Sequence, residues 1–213
     1  MEKAKGVKWD LSFLYDGTED PKIEEHLKRG DELANEFVVN YRDKIASSEF
    51  NTKMLMEALE AMEKVYSFAT RPYHYAMLKF SEDTQNPQNQ ALLAKVQQSF
   101  TVTNNKLVFF NVELMKMPDA TADTIMADPE FAHYKHWLAE ARKNKPYTLS
   151  EKEEQVINLK DSTGKSALVQ LYEEYTGDFD FEMEVDGEMK TMTGEEVASY
   201  FTSEEPEASQ TRL

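Results

Sequence analysis

Apolar residues recur at three- and four-residue steps over most of residues 21–176, and at every second position only over residues 178–192. The first spacing lines one face of an α-helix and the second one face of a β-strand. The chain therefore reads as mostly α: a multi-helix domain of long antiparallel helices with one β-hairpin near the C-terminus. Few glycines and abundant Ala, Leu, Met, Glu and Lys favour the same reading.

Start signals divide the periodic region. Asp20-Pro21, Asn51-Thr52 and Asn86-Pro87 each put a capping side chain before a helical run, twice with proline at a position where its missing N–H loses no bond. The first run carries Ile23, Leu27, Ala34, Phe37, Val38, Tyr41 and Ile45. The second carries Leu55, Leu59, Met62, Val65, Tyr66 and Ala69, and Pro72 is expected to kink or split it. The third runs from Leu92 to about Met117, with a poor helix-forming patch at Thr101 to Asn105. A short helix around Thr124 to Ala127 and another from Asp128-Pro129, striped by Phe131, Tyr134, Trp137, Leu138 and Ala141, follow. Ser150 with Glu153 and Thr193 with Glu196 each fit a capping box.

Between those boxes, Phe179, Phe181, Met183 and Val185 alternate with acids, and Asp186-Gly187 is a two-residue hairpin signal leading to a second strand, Glu188 to Met192. An isolated hairpin is marginal in water unless its apolar face is covered. These four residues are thus the candidate domain or partner interface, expected to pack on the domain's own helices and to hold the Thr193 helix. The expected organisation is an extended lead-in at 1–19 pinned by Trp9, Leu11, Phe13, Leu14 and Tyr15. A helical body at 20–176, the hairpin at 177–192, and a linker helix with a truncated tail at 193–213 complete one domain.

Composition narrows the function. The net charge of −16 repels a phosphate backbone, so nucleic acid is not an expected partner. No stretch approaches the roughly 18 apolar residues of a membrane span, and the first ten residues lack a signal-peptide core, so a soluble, cytoplasmic chain is expected. The absence of cysteine excludes disulfides, thiolate metal sites and cysteine nucleophiles.

Local motifs add no chemistry. His133 and His136 are three apart, whereas a zincin helix needs histidines four apart with a glutamate after the first; Tyr134 and Trp137 occupy those positions. His133, His136 and Glu140 would make only a non-standard site. Gly164-Lys165-Ser166 lacks the glycine of a phosphate-binding loop, since Leu159 stands there. Glu24-Glu25 and Glu153-Glu154 read as solvated or helix-terminal charge. Phe68, Tyr73, Tyr75 and Phe80 around His74 read as core packing rather than a groove. No catalytic or metal residue is assigned.

The Trp9-Asp10-Leu11-Ser12-Phe13-Leu14-Tyr15 opening, the polar SEDTQN turn and the tract from Lys145 to Arg212 together resemble the N-terminal domain of the oligoendopeptidase F family of zinc peptidases. The pattern departs at Tyr147, where many members of that family have a histidine just before the Leu-Ser pair. The resemblance implies a non-catalytic helical domain that walls the peptide-binding cavity of a zinc oligopeptidase acting on oligopeptides. Its partner would be a catalytic domain in cis. No HExxH occurs in the 213 residues, so the resemblance places zinc only in a missing catalytic domain, with no cofactor in this chain. The chain alone is then expected to be inactive, a fragment prone to self-association through exposed apolar surface. The alternative is a stand-alone helical interaction module without peptidase activity.

Overall fold

The computed structural model describes residues 10–200 apart from Ser48 and Asp186. Three long helices form the body: α1 (Pro21–Tyr41), α2 (Thr52–Glu82) and α3 (Pro87–Lys116). Each starts at the cap the sequence marks. The Asp20 carboxylate accepts from Lys22 N at 2.9 Å, the Asn51 side chain from Met54 N at 3.1 Å, and the Asn86 side chain from Gln88 N at 2.9 Å. α4 (Asp119–Ala127), a 3-10 turn at Pro129–Phe131 and α5 (Lys135–Arg142) follow. Then come α6 (Glu151–Thr163), α7 (Lys165–Gly177), the strands β1 (Phe181–Val185) and β2 (Glu188–Met192), and α8 (Gly194–Ser199).

The three long helices run up, down and up, and bury two apolar clusters. One lies where the end of α1, the start of α2 and the end of α3 meet, and includes Phe37, Leu55, Phe110 and Leu114. Phe131 and Leu138, from the segment after α4 and from α5, close it. The other lies at the opposite end, where Ile23, Leu27, Tyr75, Phe80 and Leu92 pack beneath Tyr15 of the lead-in. Arg142 ties α5 to this body by donating to the Leu114 and Met117 carbonyls at 2.7 and 3.0 Å and to the Asp119 carboxylate. Lys145 and Arg142 together hold the Asp119 carboxyl below its usual range.

Several expectations need correction. Pro72 does not split α2, which continues for 31 residues. Pro72 is buried, and its packing outweighs the roughly 3 kcal/mol a mid-helix proline loses. The patch from Thr101 to Asn105 stays helical, and the Thr101 hydroxyl is satisfied by donating to Gln97 O. α1 stops at Tyr41 rather than Ile45, because Asp43 turns left-handed at φ 64° and its amide is taken by Glu113. Asp128-Pro129 opens only a 3-10 turn before α5. Phe13 is exposed and does not pin the lead-in, whereas Leu11, Leu14 and Tyr15 pack; Trp9 lies outside the described residues.

Gly30 has a definite role where α1 crosses α2. A Cβ there would meet the backbone N of Ala69 at 3.3 Å, so the two helices touch through backbone. Gly30→Leu is expected to overpack this crossing and destabilise the protein by about 1–3 kcal/mol or more. A thermal melt unchanged within a degree would show that α1 and α2 can part there freely.

Candidate functional site

The sequence places a capping box at the start of α6, and the structure uses it to begin an arm on the outside of α3. Ser150 Oγ accepts from Glu153 N while the Glu153 carboxylate accepts from Ser150 N at 2.8 Å. The Arg42 guanidinium, 4.4 Å above the Phe109 ring, donates to both oxygens of Glu151 at 2.9 Å. Those bonds push the Arg42 pKa further up. Gln155 donates to Asn105 O at 3.2 Å and Asn158 to Asn105 Oδ1 at 3.0 Å. The first two turns of α6 are therefore fixed on α3 by polar contacts to named partners.

Gly164 then breaks the helix for one residue, and α7 continues beyond it along the body toward the α2–α3 loop. A Cβ there would lie 2.8 Å from Lys160 O, which only glycine avoids. The far end of α7 meets the α2–α3 loop, where Gln85 donates to Glu174 O at 3.0 Å. Leu168, Leu171, Tyr172 and Tyr175 lie at positions i, i+3, i+4 and i+7, one stripe of α7. All four are 60–67% exposed. A stripe of this size on a helix is the usual mark of a core-facing surface, yet here it faces solvent.

The stripe does not stop with the helix. The Tyr175 and Phe179 rings meet edge to face with centroids 4.9 Å apart, and Phe179 meets Phe181 at 6.4 Å. The strands pair in the register Phe181 with Met192, Met183 with Lys190 and Val185 with Glu188. Gly187 supplies a positive φ of 79° at the turn; Asp186 lies outside the described residues. Of the four expected interface residues, Met183 is buried in a small cluster with Met192 and Val197 of α8, and Val185 packs against it. Phe181 contacts the start of α8 near Gly194, with 37% of its surface exposed, and Phe179 precedes β1 and is 40% exposed. The four thus divide. Met183 and Val185 seat α8, whereas Phe179 and Phe181 extend the α7 stripe. The sequence shows the stripe's periodicity but contains no sign that it is left uncovered.

The other motifs behave as packing or surface. His133 sits in the turn before α5 with its ring against Tyr134 at 4.9 Å, and Glu140 pairs with Lys143 at 2.5 Å. Among the described residues no group of three or more His, Asp or Glu could hold a metal ion, so they do not fit a zinc ion. Gly164-Lys165-Ser166 is the break between α6 and α7. Tyr75 and Phe80 are core, while Tyr73 lines a surface cleft. No described helix is long and apolar enough to cross a membrane.

Comparison with known proteins adds the following. A family model described as Oligopeptidase F matches residues 113–181, the end of α3 through the start of β1. Oligopeptidase PepF of Bacillus subtilis is 30% identical over 118 residues, which cover 55% of this chain and 17% of that protein. The oligoendopeptidase F homolog of Borreliella burgdorferi is 24% identical over 150 residues, covering 70% of this chain and 24% of that protein. The crystal structure of oligoendopeptidase-F from Enterococcus faecium superposes with a TM-score of 0.65 at 18% identity, over 88% of this chain and 37% of that one, a likeness of fold. The chain spans between about a sixth and a quarter of the length of these two curated relatives.

Proposed function

This chain carries an N-terminal domain of the oligoendopeptidase F family, and from that premise we propose that it is the non-catalytic wall of a zinc oligopeptidase. In this reading the exposed stripe from Leu168 to Phe181 docks against a catalytic domain in cis, which holds the zinc and cuts oligopeptides. The domain's role is then steric. It closes one side of the peptide cavity and admits only short, unfolded chains.

The observation that carries the reading is the stripe itself. Burying a leucine or tyrosine that is more than half exposed yields about 25 cal/mol per Å² of apolar surface removed from water, and α7 offers four such side chains in one line. The relatives support a partner in the same chain, since most of each lies outside the matched segment.

The test has two parts. The purified chain is expected neither to retain stoichiometric zinc nor to cleave a quenched fluorescent oligopeptide, and chelator-sensitive cleavage by pure protein overturns the reading. Added to a catalytic region of the family expressed without its own N-terminal domain, the chain should bind, and Leu171→Glu should lose that binding while melting within a degree or two of the parent. If the chain ignores the catalytic region but self-associates through the stripe, it is an interaction module instead.

A further inference from the structure

A cleft of about 200 Å³ opens between the body and the α6–α7 arm, and no residue of the exposed stripe lines it. Tyr73 of α2 and Phe100 of α3 form its aromatic wall, with ring centroids 5.5 Å apart and planes tilted by 33°. Asp161 and Ser162 of α6 face that wall across the opening, with Thr101 and Asn158 between.

The hydrogen-bond bookkeeping gives the cleft a sign. The Thr101 hydroxyl donates to Gln97 O at 2.9 Å and the Ser162 hydroxyl to Leu159 O at 2.8 Å. The Asn158 amide donates to Asn105 Oδ1. The two hydroxyls have placed their protons on the protein and keep oxygens able to accept, and Asn158 keeps its side-chain carbonyl oxygen beside one remaining N–H. Asp161 adds a carboxylate with no ion-pair partner among the described residues, although Lys160 and Lys165 are its neighbours in sequence. Gln97 and Ser166 complete the wall with Asn104, whose Oδ1 already accepts from the Tyr66 hydroxyl at 3.0 Å. Acceptors, one unpaired carboxylate and two aromatic faces are the elements that receive an organic cation. The net charge of −16 raises the local concentration of such a ligand.

We propose that this cleft is a binding site for a primary ammonium or guanidinium group, seated over Tyr73 and Phe100 and paired with Asp161. Its size admits the end of one long side chain, so the ligand is either a lysine or arginine side chain of a peptide or the end of a free polyamine. This site is independent of the docking stripe, and it stands or falls separately from the proposed family role.

The test is an NMR titration of the full chain with three probes: a blocked Ala-Lys-Ala peptide, its norleucine counterpart and spermidine. Shifts confined to amides around Phe100, Thr101 and Asn158 to Ser162 are expected with a cationic probe and not with norleucine. Asp161→Asn should weaken that binding by about tenfold, equivalent to about 1.4 kcal/mol, without changing the melt. Binding by the peptide alone assigns a basic side chain, by spermidine alone a polyamine, and by both the shared group. Equal binding of the norleucine peptide overturns the proposal. So do cation shifts spread over the whole acidic surface, or an Asp161→Asn variant that binds as the parent does.

Discussion

Phe110→Ala is expected to lower the unfolding free energy by about 3–5 kcal/mol, the range for removing a fully buried aromatic side chain. Phe110 has no exposed surface, and its ring meets Phe37 of α1 with centroids 5.7 Å apart. Its neighbour Phe109 also meets Phe37, at 5.8 Å, and carries the Arg42 guanidinium that anchors α6. A cavity at Phe110 therefore loosens the body and the arm together. For a domain of this size the loss corresponds to roughly 10 °C in Tm. Tyr172→Ala supplies the contrast. It removes as large an aromatic from the exposed stripe, and a change within about 0.5 kcal/mol is expected. If both variants lost the same amount, the stripe would be core and the docking reading would fail with it.

Local signals were legible in the sequence, and the structure uses them: Asp20, Asn51, Asn86, Ser150 and Thr193 each cap the helix that follows. A cap is a bond between residues two or three apart, so its partners are visible together. Coverage is not local. Leu92, Leu93 and Val96 are buried, whereas Leu168, Leu171 and Tyr172 are exposed, yet both sets have helical spacing. What separates them is that α1 and α2 pack on α3, while α7 continues from α6 with few contacts to the body. Pro72 misleads for the same reason, because its local penalty is outweighed by burial that the neighbouring sequence does not reveal. The cleft was illegible altogether. Tyr73 and Asp161 come from α2 and α6, and Tyr73 reads along the chain as one more core aromatic. The hairpin residues lie between these cases. Alternation identifies Phe179, Phe181, Met183 and Val185 as apolar, but only the packing of α8 decides which of them are buried.

Glu113→Ala should show how the end of α1 is held. Glu113 lies within the apolar stripe of α3, where a charge is costly unless bonded. One carboxylate oxygen accepts from Asp43 N at 2.8 Å and the other from Ile45 N at 3.1 Å. The two amides flank Lys44 in the turn that stops α1, where Asp43 has a positive φ uncommon outside glycine. Alanine at 113 leaves both amides without their acceptor. An unsatisfied buried group costs about 1–3 kcal/mol, and Ile45 is fully buried, so a total loss of about 2–4 kcal/mol is expected. Glu113→Gln keeps one carbonyl oxygen and should lose about half as much. Amide exchange at Ile45 should accelerate most in the alanine variant, which separates the mechanism from a general loss of packing. Because Arg42 immediately precedes the turn, its bidentate bond to Glu151 should weaken in parallel, loosening α6 from α3. A denaturant midpoint unchanged in Glu113→Ala, with Ile45 still protected, would mean that the turn is set by Asp43 and its chain neighbours, and that the carboxylate only occupies space.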